Sequence, residues 1–138
     1  MRNRVVITGY GAVTPLGSNV EETWQSLIAG KSGIDRISLF DATDFSVTIA
    51  AEVKEFSPLD YVDPTTAKYS DRFTNFAIVA SLQALDNAKL TINDDNKYEC
   101  GILVGSGIGG LSTLSQQFKV LDTRVYFCRN LLLNNIFL

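Results

Sequence analysis

None of the 138 residues is a histidine. Serine and cysteine nucleophiles ordinarily rely on an imidazole as base, and zinc sites ordinarily include one as a ligand, so chemistry of either kind has to be argued against for these residues. Cysteine is nearly as scarce. Cys100 and Cys128 make no metal-ligand spacing, and Cys100 heads an apolar run with neither a histidine nor a helix N-terminus to favour its thiolate, which marks a structural thiol. An excess of positive charge is missing too: 12 lysines and arginines against 15 acids leave a net charge of −3, which gives no field for gathering nucleic acid. Long apolar runs are also wanting. The run at Val5-Val6-Ile7 stops at Gly9, short of a signal peptide, and the apolar residues after Arg124 are interrupted by Arg129 and three asparagines, short of the ~20 residues of a membrane span. A cytoplasmic chain with no membrane insertion is the expectation.

The residues that are there, 46% hydrophobic and 20% charged, suit one globular domain. Residues 4–8 predict a buried strand that ends at the turn Gly9-Tyr10-Gly11. A helix follows, with a capping box at Ser18-Asn19-Val20-Glu21, an apolar face of Val20, Trp24, Leu27 and Ile28, and Gly30 at its left-handed end. Residues 32–44 read as a loop and residues 46–53 as a second strand. Asp63-Pro64 opens a helix that the pattern carries to Ala88. One side of it is Phe73, Phe76, Ala77, Ala80, Ala84 and Ala88, the other Ile78, Leu82 and Leu85. Two apolar sides predict burial between layers, and the alanines allow a neighbouring backbone to come close. A third strand, residues 100–104, runs into Gly105-Ser106-Gly107-Ile108-Gly109-Gly110 and a last helix with the stripe Leu111, Leu114, Phe118 and Leu121. The order predicts an α/β fold.

Two motifs invite chemistry. Gly105 to Gly110 fits the G-x-G-x-x-G spacing of a dinucleotide cradle, in which a pyrophosphate meets a helix N-terminus. The acidic residue that should hold a ribose hydroxyl about 20 positions on is Asp122, which closes the helix rather than a strand, and the motif follows the third strand, not the first. Glycines serving close packing are the simpler reading. In Lys68-Tyr69-Ser70-Asp71-Arg72 two cations fall early in the predicted helix, where the macrodipole disfavours them. A contact with an acidic partner competes there with a plain solvated face.

Four segments in order carry a resemblance. Arg4-Val5-Val6-Ile7-Thr8-Gly9-Tyr10-Gly11 with Thr14-Pro15-Leu16-Gly17, then Trp24 with Gly30-Lys31-Ser32-Gly33-Ile34, then Asp71-Arg72-Phe73, then the glycine turn at residues 105–110, resemble the opening of the β-ketoacyl-[acyl-carrier-protein] synthase II family, in register to about Thr123. The resemblance implies the N-terminal half, incomplete, of a thiolase-like fold with α-β-α-β-α layers. It implies an acyltransferase that condenses malonyl-ACP with a cysteine-bound acyl thioester, lengthening a fatty acyl chain by two carbons. Acyl carrier protein and a second subunit are the partners it implies, with neither nucleotide nor metal as cofactor. Carried over by position, Ile108 stands at the mouth of the acyl pocket, Gly107 and Gly109 place the backbone around it, and Lys68 faces acyl carrier protein, although Tyr69 stands where the family has a neighbouring cation. Asp71 and Phe73 are structural. The family's cysteine on its nucleophile elbow, two histidines and lysine have no counterpart here, so a catalytically inactive fragment is expected. A non-catalytic protein binding acyl carrier protein or a complete synthase is the alternative, and a small nucleotide-binding α/β domain a more distant one.

Residues 1–124 follow the resemblance; residues 125–138 do not. The latter hold ten apolar residues, no acid and no glycine. Such leucine, isoleucine, asparagine and phenylalanine enrichment is what an AT-rich gene yields when read out of frame, so the tail is expected to be non-native, with a genuine short apolar strand or helix as the other reading. Translation of the two other frames beyond codon 124 should recover the family sequence; two uninformative frames would discard the idea.

Overall fold

The computed structural model describes residues 4–134, with side chains as far as Arg124. Its elements in order are α1 (Val20–Ile28), the antiparallel strands β1 (Ile34–Arg36) and β2 (Ile49–Ala51), a 3-10 turn (Pro58–Asp60), α2 (Pro64–Tyr69), α3 (Arg72–Ala88) and α4 (Leu111–Asn134).

The packing is organised on α3. Residues 9–12 cross it over the alanine side, so closely that a Cβ on Gly9 would stand 2.6 Å from the Ala88 Cβ and overlap the Ala84 carbonyl oxygen. A Cβ on Gly11 would collide with the Ala80 carbonyl oxygen. The approach predicted for the alanines is therefore made, and by the first glycine turn. At this range backbone donors reach helix side chains: Tyr10 N donates to Asn87 Oδ1 at 3.3 Å, Ala12 N to Gln83 Oε1 at 3.1 Å, and Gln83 Nε2 returns to the Ser18 carbonyl at 2.7 Å. Two side-chain amides thus do what a neighbouring strand would do. Residues 4–8, read as a strand, form no ladder among the described residues, because a strand exists only by pairing and no partner segment lies beside them. Residues 100–104 differ from expectation for the same reason, leaving Ile102 and Leu103 at 83% and 100% exposure.

The helix read from Asp63 to Ala88 is two helices. Asp63 caps α2 as expected, accepting from Thr65 N and Thr66 N at 2.9 and 3.0 Å, with Pro64 in the first turn. The break comes at Ser70 and Asp71, both extended, with ψ of 137° and 158°. Lys68 consequently lies in the last turn of α2, where the helix dipole favours a cation, which reverses the objection raised from sequence. At its other end α3 closes on Lys89 in the left-handed region at φ 52°, with Leu90 N reaching the Leu85 carbonyl at 3.0 Å. Val79 is the fully buried large side chain among the described residues, and Asn75, also buried, gives its Nδ2 to the Ser70 carbonyl at 3.3 Å. Neither belongs to the two faces read from sequence. Those faces are half-buried except at Leu82, which is exposed, so α3 is covered on one side rather than sandwiched.

α1 corrects a second detail. Its cap is Asn19, whose side chain accepts from Glu22 N, while Glu22 reaches back to Ser18 N at 2.8 Å, so the box lies one residue beyond the expected one. Gly30 does end it, at φ 67°. The apolar residues Trp24, Leu27 and Ile28 face outward at 57%, 53% and 63% exposure. The inward side is polar. There the turn Thr14-Pro15-Leu16-Gly17 sits on Thr23 and Ser26, with Thr14 Oγ1 and Thr23 Oγ1 2.9 Å apart and Ser26 Oγ donating to the Leu16 carbonyl at 3.0 Å. β1 arises inside residues 32–44, expected to be a loop, because residues 49–51 offer it a partner, with Ile34 opposite Ala51 and Arg36 opposite Ile49.

Overpacking against a helix backbone costs about 1–3 kcal/mol, whereas a Cβ on Gly105 meets nothing within 4 Å. Gly11→Ala should therefore lower the unfolding free energy by about 2 kcal/mol in denaturant titration, with Gly105→Ala near zero; equal effects would remove the crossing as the organising contact.

Candidate functional site

The first turn of α3 is where the sequence motifs meet. Asp71 occupies the N-cap position but makes no side-chain hydrogen bond to its own helix. Its Oδ1 instead accepts from Thr113 Oγ1, at 2.7 Å, in the first turn of α4. The same carboxylate lies against Gly110, where a Cβ would come 2.8 Å from the Asp71 Cγ. Arg72 turns the other way. Its guanidinium donates to the Val53 carbonyl and lies over the rings of Phe76 and Phe56, 5.1 and 6.0 Å from their centroids, the two rings meeting edge to face at 4.8 Å. Phe73 is half-buried.

The glycine turn that Asp71 touches is built around Gly109, left-handed at φ 79°, whose N–H donates to Ser106 Oγ at 2.9 Å. Ile108, the residue singled out by resemblance, projects from it at 78% exposure, and a side chain on Gly105 or Gly107 would meet open space. Close packing explains Gly110 and a left-handed backbone explains Gly109. A phosphate cradle is disfavoured here, since the start of α4, where the helix dipole would draw a phosphate, already faces the Asp71 carboxylate, and no strand leads into the turn. Lys68 is exposed at the end of α2, with its Nζ 5.5 Å from the centre of the Tyr69 ring. Thr113 escaped sequence reading altogether; nothing local pairs it with a residue 42 positions earlier.

The chain matches the sequence model described as "Beta-ketoacyl synthase, N-terminal domain" over residues 2–136. It belongs to the β-ketoacyl synthase family. Among curated relatives, it is 46% identical over 120 residues to 3-oxoacyl-[acyl-carrier-protein] synthase 2 of Synechocystis sp., covering 87% of this chain and 29% of the relative. To the enzyme of the same name from Staphylococcus aureus (strain N315) it is 44% identical over 118 residues, 86% of this chain and 28% of the relative. The chain thus spans under a third of the length of these relatives. Among solved structures, the ishigamide ketosynthase/chain length factor superposes with a TM-score of 0.69 at 30% identity, over 88% of this chain and 31% of that one. The fold is accordingly an incomplete part of the thiolase-like α/β architecture of ketosynthases. Among the described residues no helix is long and apolar enough to cross a membrane, and no cluster of three or more histidine, cysteine or acidic side chains is arranged to hold a metal.

Within this β-ketoacyl synthase domain, a concave surface of about 380 Å³ lies between the Thr14–Gly17 turn and the strand pair, with Asp35, Glu52 and Lys54 on its wall. Lys54 Nζ bonds Asp35 Oδ2 at 2.6 Å, which holds the Asp35 carboxyl below its ordinary 3.8 and Lys54 above its ordinary 10.5. The Ser38 hydroxyl, at 2.6 Å, does the same for Glu52, lowering it from 4.5. For the two acids the stabilisation is complete above their ordinary values and is lost as pH falls through the lowered ones; for Lys54 it is complete below 10.5 and lost as pH rises through the raised value. The cross-strand NOE between Ile34 and Ala51 should hold from neutral pH down to the ordinary carboxylate values and weaken only as pH falls through the lowered ones; an unchanged NOE in strong acid would show that these pairs do not hold the strands.

Proposed function

We propose that this chain carries one wall of the acyl pocket of a 3-oxoacyl-ACP synthase and has no condensing activity by itself. The observation that carries the reading is the glycine turn. Its lone bulky apolar side chain, Ile108, is held out from the surface, in a family whose relatives, 43–46% identical, are named for action on acyl carrier protein substrates. In the complete enzyme a malonyl group would lose carbon dioxide, and the carbanion would attack the carbonyl of an acyl thioester whose chain lies along Ile108, forming the carbon–carbon bond as the carbon–sulfur bond breaks and the cysteine thiolate leaves. These 138 residues contain no histidine. An enolate formed here would lack the imidazole donors that the family resemblance implies, so decarboxylation would stall. Residues 125–138 are proposed to stand apart from the functional segment at residues 1–124.

Lys68 favours a second, compatible reading: an exposed cation at the end of α2 suits an acidic acyl carrier protein. The homodimer of complete family members belongs to the same proposal.

The purified chain should release no carbon dioxide from malonyl-ACP above the protein-free blank; measurable release would end the claim of inactivity. The pocket reading is tested in a fusion protein joining residues 1–124 to the part of the Synechocystis relative beyond its match. Ile108→Trp there should lower kcat/KM for the longest accepted acyl chains by roughly tenfold or more while sparing the shortest, and a uniform loss would contradict a pocket wall. Lys68→Glu should weaken capture of acyl carrier protein severalfold, most at low salt.

A further inference from the structure

Ile108 has little packed against it, so its place is set by the backbone around it. That backbone has one soft side and one fixed side. Gly105 and Gly107 stand in open space, whereas Gly109 is committed to the left-handed region and hydrogen-bonded to Ser106. Gly110 is pressed on the Asp71 carboxylate, and Thr113 donates to that same carboxylate at 2.7 Å. An aspartate at an N-cap normally serves its own helix, yet Asp71 makes no such bond to α3. Its charge is spent on the start of another helix, across 42 residues of sequence.

We propose that Asp71 and Thr113 form a latch fixing the glycine turn to α3, which makes Asp71 a positioning residue for Ile108 and hence for acyl-chain selection. The part concerning acyl chains rests on the pocket reading above. A side chain at residue 110 would wedge the latch open; the hydroxyl of Thr113 closes it with a hydrogen bond strengthened by the carboxylate charge. With the latch closed, the side of the turn that stays open is at Gly105 and Gly107, upstream of Ile108.

Hydrogen–deuterium exchange on the full chain reads the latch directly. Thr113→Val, which keeps the shape and removes the donor, should speed exchange of the amides at residues 106–112 about tenfold and leave residues 79–88 of α3 unchanged. Thr113→Ser should restore the parent rates. Three results would overturn the latch: unchanged rates in Thr113→Val, a parent turn that already exchanges like an unstructured peptide, or acceleration that spreads equally through α3. In the fusion protein, Thr113→Val should shift the acyl-length profile of kcat/KM while malonyl decarboxylation stays constant; a loosened turn with an unshifted profile overturns the positioning role. The two readings fail separately. A turn that loosens where Ile108→Trp leaves the profile untouched discards the pocket and keeps the latch, and the converse pair of results discards the latch and keeps the pocket.

Discussion

The close crossing of residues 9–12 over α3 is the contact on which the remaining structure depends. It needs three things at once: no side chain at Gly9 and Gly11, nothing larger than alanine at positions 80, 84 and 88, and amide side chains at 83 and 87 to take the backbone groups that a sheet neighbour would otherwise satisfy. Each compensates a cost created by another. The close approach turns the Tyr10 and Ala12 amides toward the helix instead of a neighbouring strand, and Asn87 and Gln83 supply their acceptors. Gln83 also holds the Ser18 carbonyl, so the same helix positions the start of α1.

The other end of α3 works by charge rather than by absence of bulk. Within consecutive residues Asp71 reaches toward α4 and Arg72 toward the segment after β2, one as acceptor and the other as donor and ring-stacking cation. The helix is thereby tied at its N-terminus to two segments that approach from different parts of the sequence. The extended backbone at Ser70 and Asp71 is what frees both side chains to point away from the helix axis.

Much of this was legible in sequence, and the reasons differ by element. Gly30, the Asp63-Pro64 start and the small-residue side of α3 could be read because each is a local rule of backbone conformation or side-chain size. The family, too, could be read, since four motifs in fixed order survive any uncertainty about one of them. What misled was everything that depends on a partner. Residues 4–8 and 100–104 have strand composition but no neighbour to pair with. The apolar face of α1 pointed to a core, yet the side facing the chain is Thr23 and Ser26, chosen by the carbonyls of the Thr14–Gly17 turn. Of the site, Ile108 could be named by resemblance; Thr113 could not, because a hydroxyl gains meaning only from the carboxylate that folding brings to it.

The crossing also sets a timetable. Tyr10 and Ala12 find their acceptors 77 and 71 residues later in the chain. During synthesis at about 5–20 residues per second, Tyr10 would wait roughly 4–15 s before Asn87 exists to receive it. Throughout that interval the amides of Tyr10 and Ala12 are without their protein acceptors, beside an apolar run, Val5, Val6 and Ile7, that stays exposed even after the crossing forms. A helix chosen for its small side chains thus also decides how long the glycine turn over it must wait for its acceptors.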